Sequence, residues 1–123
     1  NRFLQIYDNR WKCWLFPYFR STQNNNKENI DLSISNLLKI QLSTKYIAQA
    51  KHCKYSVSDG VYKIYNHKLY MIRLDELPEY MDKDEFEIGD KVFKWLSIGE
   101  MEEDFDIMSK NDDVIAFVKK RCC

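Results

Sequence analysis

The chain of 123 residues has the length of one domain, and its 45% hydrophobic content excludes an intrinsically disordered protein. No apolar run approaches the ~20 residues that a membrane-spanning helix needs, and we expect no signal peptide before Arg2. The net charge is zero, with 19 basic and 19 acidic side chains.

These charges are divided unevenly along the chain. Residues 1–74 hold 12 Lys or Arg and 4 Asp or Glu, a net charge of +8. Residues 75–123 hold 7 and 15 respectively, a net charge of −8. This asymmetry predicts a basic face that attracts an anion and an acidic face that does not. The alternative is that the charges only solvate opposite surfaces.

The first part of the chain predicts a strand, a turn and an aromatic stretch. Phe3–Tyr7 is typical of a strand and Asp8–Arg10 of a turn. The stretch Lys12–Arg20 is strongly aromatic, and Pro17 confines it to a sheet edge or a strand end. The polar run Ser21–Asn29 predicts a loop.

An amphipathic helix is predicted over Ile30–Leu42. Apolar residues recur there at the spacing of one helix face, namely Ile30, Ile34, Leu37 and Leu38. Lys39 suits the negative pole of the helix dipole near the predicted end. We expect this helix to contain no glutamate, and neither Asp nor Glu occurs between Leu32 and Ser58.

The second half predicts a three-stranded meander followed by a loop, a strand and a helix. Asp59–Gly60 favours a hairpin between strands at Lys45–Ser58 and Val61–Tyr65, because a tight turn needs positive φ. Asn66–His67 predicts a second turn into a third strand, Lys68–Leu74. The later predicted elements are an acidic surface loop over Asp75–Asp90, a strand over Lys91–Leu96 and a helix over Asn111–Arg121.

Flat aromatic rings that stack on bases and cationic groups that hold phosphates occur together in residues 10–20. The candidate ligand-binding residues are Arg10, Trp11, Trp14, Tyr18 and Arg20, with Lys63, Tyr65 and Arg73 on the meander as further candidates. The alternative is that Trp14 and Phe16 belong to the core, while Arg10 and Arg20 are solvated.

Histidines, cysteines and clustered carboxylates often form catalytic or metal sites, but in this sequence they give weaker evidence for such a site. His52 and His67 have no carboxylate or cysteine partner at a catalytic spacing, which predicts structural or surface roles. The spacing of the cysteines does not match a metal site and predicts free thiols; they are Cys13, Cys53, Cys122 and Cys123. The dense carboxylate group at Glu100–Asp106 is an alternative metal site.

Two motifs of this chain resemble those of the Nudix domain: Trp14–Leu15–Phe16–Pro17 and Trp95–Leu96–Ser97–Ile98–Gly99–Glu100–Met101. As a pattern, the resemblance covers nearly the whole chain. It implies an α+β fold with a mixed β-sheet sandwiched between the two helices, in a single domain spanning residues 1–123. Nudix catalysis needs several helix carboxylates that hold Mg²⁺. The glycines that follow the first motif are replaced by Tyr18 and Phe19. These departures imply a binding module with no catalytic residues, no metal and no cofactor.

More narrowly, the chain resembles the degenerate Nudix domain of CD-NTase-associated effectors in bacterial antiphage (CBASS) defence. That resemblance implies sensing of a cyclic oligonucleotide second messenger, homo-oligomerisation and activation of an upstream membrane effector segment. It implies a cytoplasmic domain of an inner-membrane protein and no nucleic acid polymer as partner. Because the chain begins with Asn1 and not Met, we expect a fragment of a longer protein. Two alternatives stay open: a Nudix-type nucleoside-diphosphate hydrolase with its metal at Glu100–Asp106, and a protein-interaction module that uses the aromatic stretch.

Overall fold

The computed structural model describes residues 1–20, 26–56 and 59–122, and it shows an α+β chain. The strands are β1 (Phe3–Asp8), β2 (Cys13–Leu15), β3 (Lys45–Ser56), β4 (Val61–Met71), β5 (Glu85–Ile88) and β6 (Lys91–Leu96). The helices are α1 (Asn26–Leu38), α2 (Ile98–Glu102) and α3 (Phe105–Cys122), and Glu79–Met81 forms a 3₁₀ turn. No helix among these residues has the length and apolarity to span a bilayer.

Four of the strands form one antiparallel sheet in the order β2-β1-β6-β5. In the middle of this sheet, Ile6 of β1 lies opposite Leu15 on one side and Phe93 on the other. The predicted mixed sheet is wrong, since every strand pair in the described part of the chain is antiparallel. Short turns join β1 to β2 and β5 to β6, and such turns can join only antiparallel neighbours.

Helices α1 and α3 pack on opposite faces of the sheet. On one face, Leu4 and Phe93 pack in a cluster with Ile34 and Leu38 of α1. On the other face, Phe3 and Leu96 pack in a second cluster, whose members from α3 include Ile107, Ile115 and Val118. The sheet therefore lies between the two helices, as the sequence predicted.

Helix α1 is shifted toward the start of the chain relative to the prediction. It begins at Asn26 and ends at Leu38, because Lys39 has a φ of 59° and cannot continue a helix. The Ile40 N–H then donates to the Ser35 carbonyl at 3.2 Å, a pairing typical of a helix C-terminus. The prediction of a helix without glutamate is wrong, since Glu28 lies in its first turn. Of the predicted 21–29 loop, residues 21–25 lie outside the described residues.

Strands β3 and β4 form one long hairpin instead of the predicted meander. Gly60 supplies the expected positive φ, 67°, although residues 57–58 beside the turn lie outside the described residues. The predicted turn at Asn66–His67 is wrong, because these residues pair with Lys51 and Ala50 in a continuous ladder. Cross-strand pairing here outweighs the local turn preference.

The acidic segment 75–90 is not the surface loop that its composition predicted. Met81 of the 3₁₀ turn is fully buried, and the Phe86 ring of β5 stacks on Phe93 with ring centres 5.3 Å apart. Gly89, with a φ of 62°, occupies the turn between β5 and β6. The buried side chains of Met81 and Phe86 thus hold this segment against the core, while its charged side chains stay exposed.

The last helices agree with the prediction and extend it. A capping box begins α2: the Ser97 hydroxyl accepts from the Glu100 N–H, and the Glu100 carboxylate accepts from the Ser97 N–H. Helix α3 contains the predicted Asn111–Arg121 segment but begins at Phe105, with a kink at Asn111, where φ is −137°.

Candidate functional site

A groove of about 350 Å³ lies between the end of β1 and the segment 17–19. We call it the aromatic groove, and its lining residues are Ile6, Tyr7, Asp8, Asn9, Pro17, Tyr18, Phe19, Leu37 and Lys91. Of the predicted ligand-binding residues, Tyr18 is the one that lines it, with its side chain 64% exposed. Lys91 adds a cation and Asn9 an amide.

The turn between β1 and β2 forms one end of this region. The Asp8 carboxylate accepts hydrogen bonds from the Arg10 N–H at 2.8 Å and the Trp11 N–H at 2.9 Å. Lys12 completes the turn with a φ of 57°. The Arg10 guanidinium carbon lies 5.9 Å from the centre of the Trp11 ring, which is 46% exposed. The structure therefore brings this predicted cation and ring together.

Trp14 occupies a different environment on the edge strand β2. Its ring meets the Tyr7 ring edge-on, with centres 5.2 Å apart, and packs against the cluster that includes Leu15. The Lys94 ammonium lies 5.8 Å from the centre of the Trp14 ring. This half-buried position favours the packing role that the sequence left open. Arg20 is exposed at the last described residue before position 26.

The predicted candidates beyond residue 20 lie on or after the hairpin. Lys63 forms an ion pair with Asp59 next to the turn, and Tyr65 stacks on His67 with an interplanar angle of 16°. Arg73 is exposed beyond the end of β4. Among the described residues these three do not line the aromatic groove, so the structure divides the predicted set.

Three of the carboxylates proposed as an alternative metal site, Glu100, Glu102 and Asp104, have partners within the protein. The Ser97 backbone N–H donates to Glu100 and lowers the pKa of that carboxyl. Glu102 lies 3.1 Å from the Lys119 ammonium, and Asp104 accepts from the Ile107 N–H at 3.1 Å. These carboxylates pair with a lysine or with helix N–H groups, and the structure does not gather them around one point.

A cluster that the sequence analysis missed lies where the hairpin meets α3. The Nδ1 atom of His52 is 2.8 Å from Nδ1 of His67 and 3.2 Å from Oδ2 of Asp113. The Lys54 ammonium lies 2.9 Å from the other oxygen, Asp113 Oδ1. We call His52, His67 and Asp113 the His–His–Asp cluster. The sequence showed no carboxylate partner for these histidines at a catalytic spacing. The fold supplies one, because it brings Asp113 of α3 to His52.

A signal for half of this cluster was present in the sequence. The turn at Asp59–Gly60 sets a register in which His52 pairs with Tyr65 and Ala50 with His67. Residues 50 and 52 share a face of β3, so the two histidines are diagonal neighbours on that face. The sequence analysis placed a turn at Asn66–His67, and with that turn the two histidines are not neighbours on one hairpin.

The environment of the cluster shifts the pKa values of two of its groups. Burial is the largest cause that lowers the pKa of His67, and the neighbouring His52 and Lys54 add to it against the opposing effect of Asp113. Burial raises the pKa of Asp113, but the Lys54 ion pair, the Val114 N–H and His52 outweigh it, so that the pKa is lowered overall. Both carboxylate oxygens of Asp113 are shielded from water. These shifts favour a neutral His67 beside an ionised Asp113.

Comparison with protein-family models, with curated proteins and with solved structures finds no match to this chain.

Proposed function

We propose that this chain is a Nudix-like module that binds a cyclic oligonucleotide in the aromatic groove without hydrolysing it. The observation that carries the proposal is the Tyr18 ring, which stands 64% exposed at the wall of a concave surface. An exposed ring in such a place suits stacking on a nucleobase, which contributes about 1–3 kcal/mol per base. The ligand class comes from the resemblance to the Nudix domains of antiphage effectors.

The other groups of the groove suit a nucleotide. Lys91 offers an ammonium to a phosphate, while Asp8 and Asn9 offer oxygens to the N–H groups of a base edge. A volume of about 350 Å³ is near the lower end for small-molecule sites. We infer that one nucleotide enters the groove and that the rest of the ring lies over the exposed Arg10–Trp11 surface.

The proposal of binding without hydrolysis follows from the carboxylates of α1. Only Glu28 and Asp31 lie on that helix. Asp31 is engaged by the Lys27 ammonium at 2.6 Å and by the Thr44 N–H at 2.8 Å. Mg²⁺-dependent diphosphate cleavage needs several carboxylates around the ions, and these two do not provide such a set.

The remaining parts of the proposal follow from the same resemblance. We propose that ligand occupancy drives self-association, which activates a membrane effector segment upstream of this domain in bacterial antiphage defence. The domain would then face the cytoplasm from the inner membrane. The antiparallel sheet departs from the mixed sheet that the resemblance implies, so the test of function has to be direct.

Calorimetry with a panel of cyclic di- and trinucleotides tests the proposal. We expect one member to bind, and Tyr18→Ala to weaken its binding by about 5- to 100-fold, because one stacked base is lost. Phe105→Ala is the matched control, since that ring is also exposed, at 82%, but lies on α3 outside the groove and outside the hairpin. It should leave affinity unchanged.

The outcomes separate the three candidate functions. Equal affinities of the wild type and Tyr18→Ala would remove the groove from the proposal. Release of nucleoside monophosphate from Nudix substrates with Mg²⁺, lost in Glu100→Gln, would favour the hydrolase. That variant is a fair test because glutamine at this position preserves the capping box. Absence of heat with every ligand, from folded protein, would favour the interaction module.

One observation favours the interaction module as the second candidate. On one face of the hairpin, the strand register places Cys53 opposite Ile64 and Tyr55 opposite Tyr62. All four side chains are exposed, Ile64 at 73% and Tyr62 at 74%. We call these four residues the outer hairpin face, and it offers an apolar surface for a second copy of the chain.

A further inference from the structure

We propose that the His–His–Asp cluster is a binding site for a divalent transition-metal ion, with zinc as the ion that fits best. The site is distinct from the aromatic groove and does not depend on nucleotide binding. It joins the hairpin to α3, since His52 and His67 come from β3 and β4 and Asp113 from the helix.

Three ligand atoms converge in the His–His–Asp cluster. The Nδ1 atoms of both histidines and one carboxylate oxygen of Asp113 all lie within 4.8 Å of one another. A proton on His52 Nδ1 can point at either His67 or Asp113, and it leaves the other acceptor without a donor. A cation at the centre would satisfy all three atoms at once.

A neighbouring cation orients the carboxylate of the cluster. The Lys54 ammonium holds Asp113 Oδ1 at 2.9 Å, which orients Oδ2 toward the imidazoles. A metal ligand is often oriented in this way by a second hydrogen-bonding partner.

The separations of the ligand atoms are close to those of a tetrahedral zinc site. Zinc binds nitrogen and oxygen ligands at about 2.0–2.2 Å, so tetrahedral ligand atoms lie about 3.3 Å apart. The 3.2 Å separation of His52 Nδ1 and Asp113 Oδ2 already fits. The 2.8 Å separation of the two Nδ1 atoms must widen by about 0.5 Å, which a small rotation of either ring provides.

The donor set selects the class of ion. Two imidazole nitrogens and one carboxylate suit zinc, cobalt or nickel, whereas magnesium and calcium prefer oxygen ligands alone. Three protein ligands leave a fourth position for water or an added ligand. A cleft of about 360 Å³ borders the cluster, and Lys120 and Arg121 line it. These two cations, together with Lys54, favour an anionic fourth ligand.

The composition of the chain makes the test unusually clean. His52 and His67 are the two histidines of the sequence, so imidazole ligation of a metal can come from no other pair. The chain must be prepared without a histidine tag. We expect Zn²⁺ to bind with a stoichiometry of one in calorimetry and to raise the melting temperature by about 5 °C or more at saturating concentration.

Spectroscopy and variants identify the ligands. Co²⁺ in place of Zn²⁺ should give visible absorption bands without a thiolate charge-transfer band. His52→Gln, His67→Gln and Asp113→Asn should each weaken Zn²⁺ binding by at least about 10- to 100-fold, the loss seen even when second-shell partners are removed. Lys51→Gln, on the opposite face of β3, is the matched control and should bind as the wild type does. Cys53→Ser should also bind normally.

Two results would overturn the proposal. One is folded wild-type protein that gives no heat, no melting shift and no cobalt spectrum. The other is metal binding that survives in His52→Gln and His67→Gln but is lost in Cys53→Ser, which would assign the ion to a thiol. A tighter complex with Fe²⁺ than with Zn²⁺ would keep the site and overturn the choice of zinc.

Discussion

Trp11 and Trp14 are three residues apart in the sequence but contribute to the protein in different ways. Trp11 lies on a turn with 46% of its surface exposed, while Trp14 packs against Tyr7 and the cluster on the α3 side of the sheet. We expect Trp14→Ala to lower the free energy of unfolding by about 2–4 kcal/mol, because it leaves a cavity beside β2. Trp11→Ala should change it by less than about 0.5 kcal/mol. Urea unfolding followed by circular dichroism measures both, and equal losses would contradict the assignment.

Arg20 is the residue that we expect to bind a phosphate of the cyclic nucleotide. Its side chain is exposed, and it follows the groove segment Pro17–Phe19 in the chain. A charge-assisted hydrogen bond contributes about 1.5–3 kcal/mol, so Arg20→Ala should weaken binding of the cyclic nucleotide by about tenfold or more. Its melting temperature should match that of the wild type. Lys39→Ala, another exposed cation, is a control that should retain affinity; an equal loss in both variants would indicate only general electrostatic attraction.

At the scale of elements, Asp31 links α1 to the start of β3. The Lys27 and Thr44 hydrogen bonds lower its pKa to about 2, from an ordinary value of 3.8. Because the folded state holds the carboxylate ionised, this stability is complete above about pH 4 and is lost as the pH falls through 2. The effect is about 1–2 kcal/mol, since the side chain is not wholly shielded from solvent.

Measuring unfolding by urea between pH 5 and pH 2 tests this link. Asp31→Asn should be less stable than the wild type at pH 5 and should lose the part of the pH dependence that belongs to this carboxyl. Asp59→Asn is a control for a surface ion pair, because Asp59 pairs with Lys63 next to the hairpin turn. Parallel curves for the wild type and Asp31→Asn would contradict the prediction.

The elements that the sequence predicted well are those with a local cause. Short runs rich in apolar and aromatic residues mark β1 and β6, and Asp59–Gly60 marks the hairpin turn, because each signal is complete within a few residues. The sequence analysis did not predict strand β5, because the acidic composition of the segment hid the alternation of Phe86 and Ile88 with glutamates. Of the predicted site, Arg10, Trp11 and Tyr18 stand at or near one groove. Asp113 joins the histidines only through tertiary packing, which no local pattern reports.

At the scale of the whole molecule, the charged halves of the sequence are not separate halves in space. Strand β6, from the acidic half, lies between β1 and β5, and ion pairs join the halves at Arg2–Asp84 and Lys54–Asp113. The predicted basic face is therefore interrupted by acidic residues. Attraction of an anion must therefore depend on single cationic side chains, such as Lys91 in the aromatic groove, more than on the electrostatic field of the whole molecule.

The outer hairpin face determines the oligomeric state that we expect for the protein in solution. With the cyclic nucleotide bound, we expect sedimentation velocity to show a dimer for the wild type and a monomer for Ile64→Lys, because a buried ammonium opposes contact between two apolar surfaces. Leu32→Lys is the matched control, since Leu32 is an exposed leucine on α1, and it should remain dimeric. Identical sedimentation of the wild type and Ile64→Lys would exclude this face as the contact.

The pairing of β1 with β6 also has a consequence for synthesis on the ribosome. Leu4 and Ile6 emerge early, but their partners Trp95 and Phe93 emerge only after α1 and the whole hairpin. At about 5–20 residues per second, β1 waits roughly 5–20 s with only the three-residue β2 as a neighbour. During this interval its open edge is available to other chains, so slower translation should lengthen the time at risk of aggregation. The sheet can close only when just over three quarters of this sequence has left the exit tunnel.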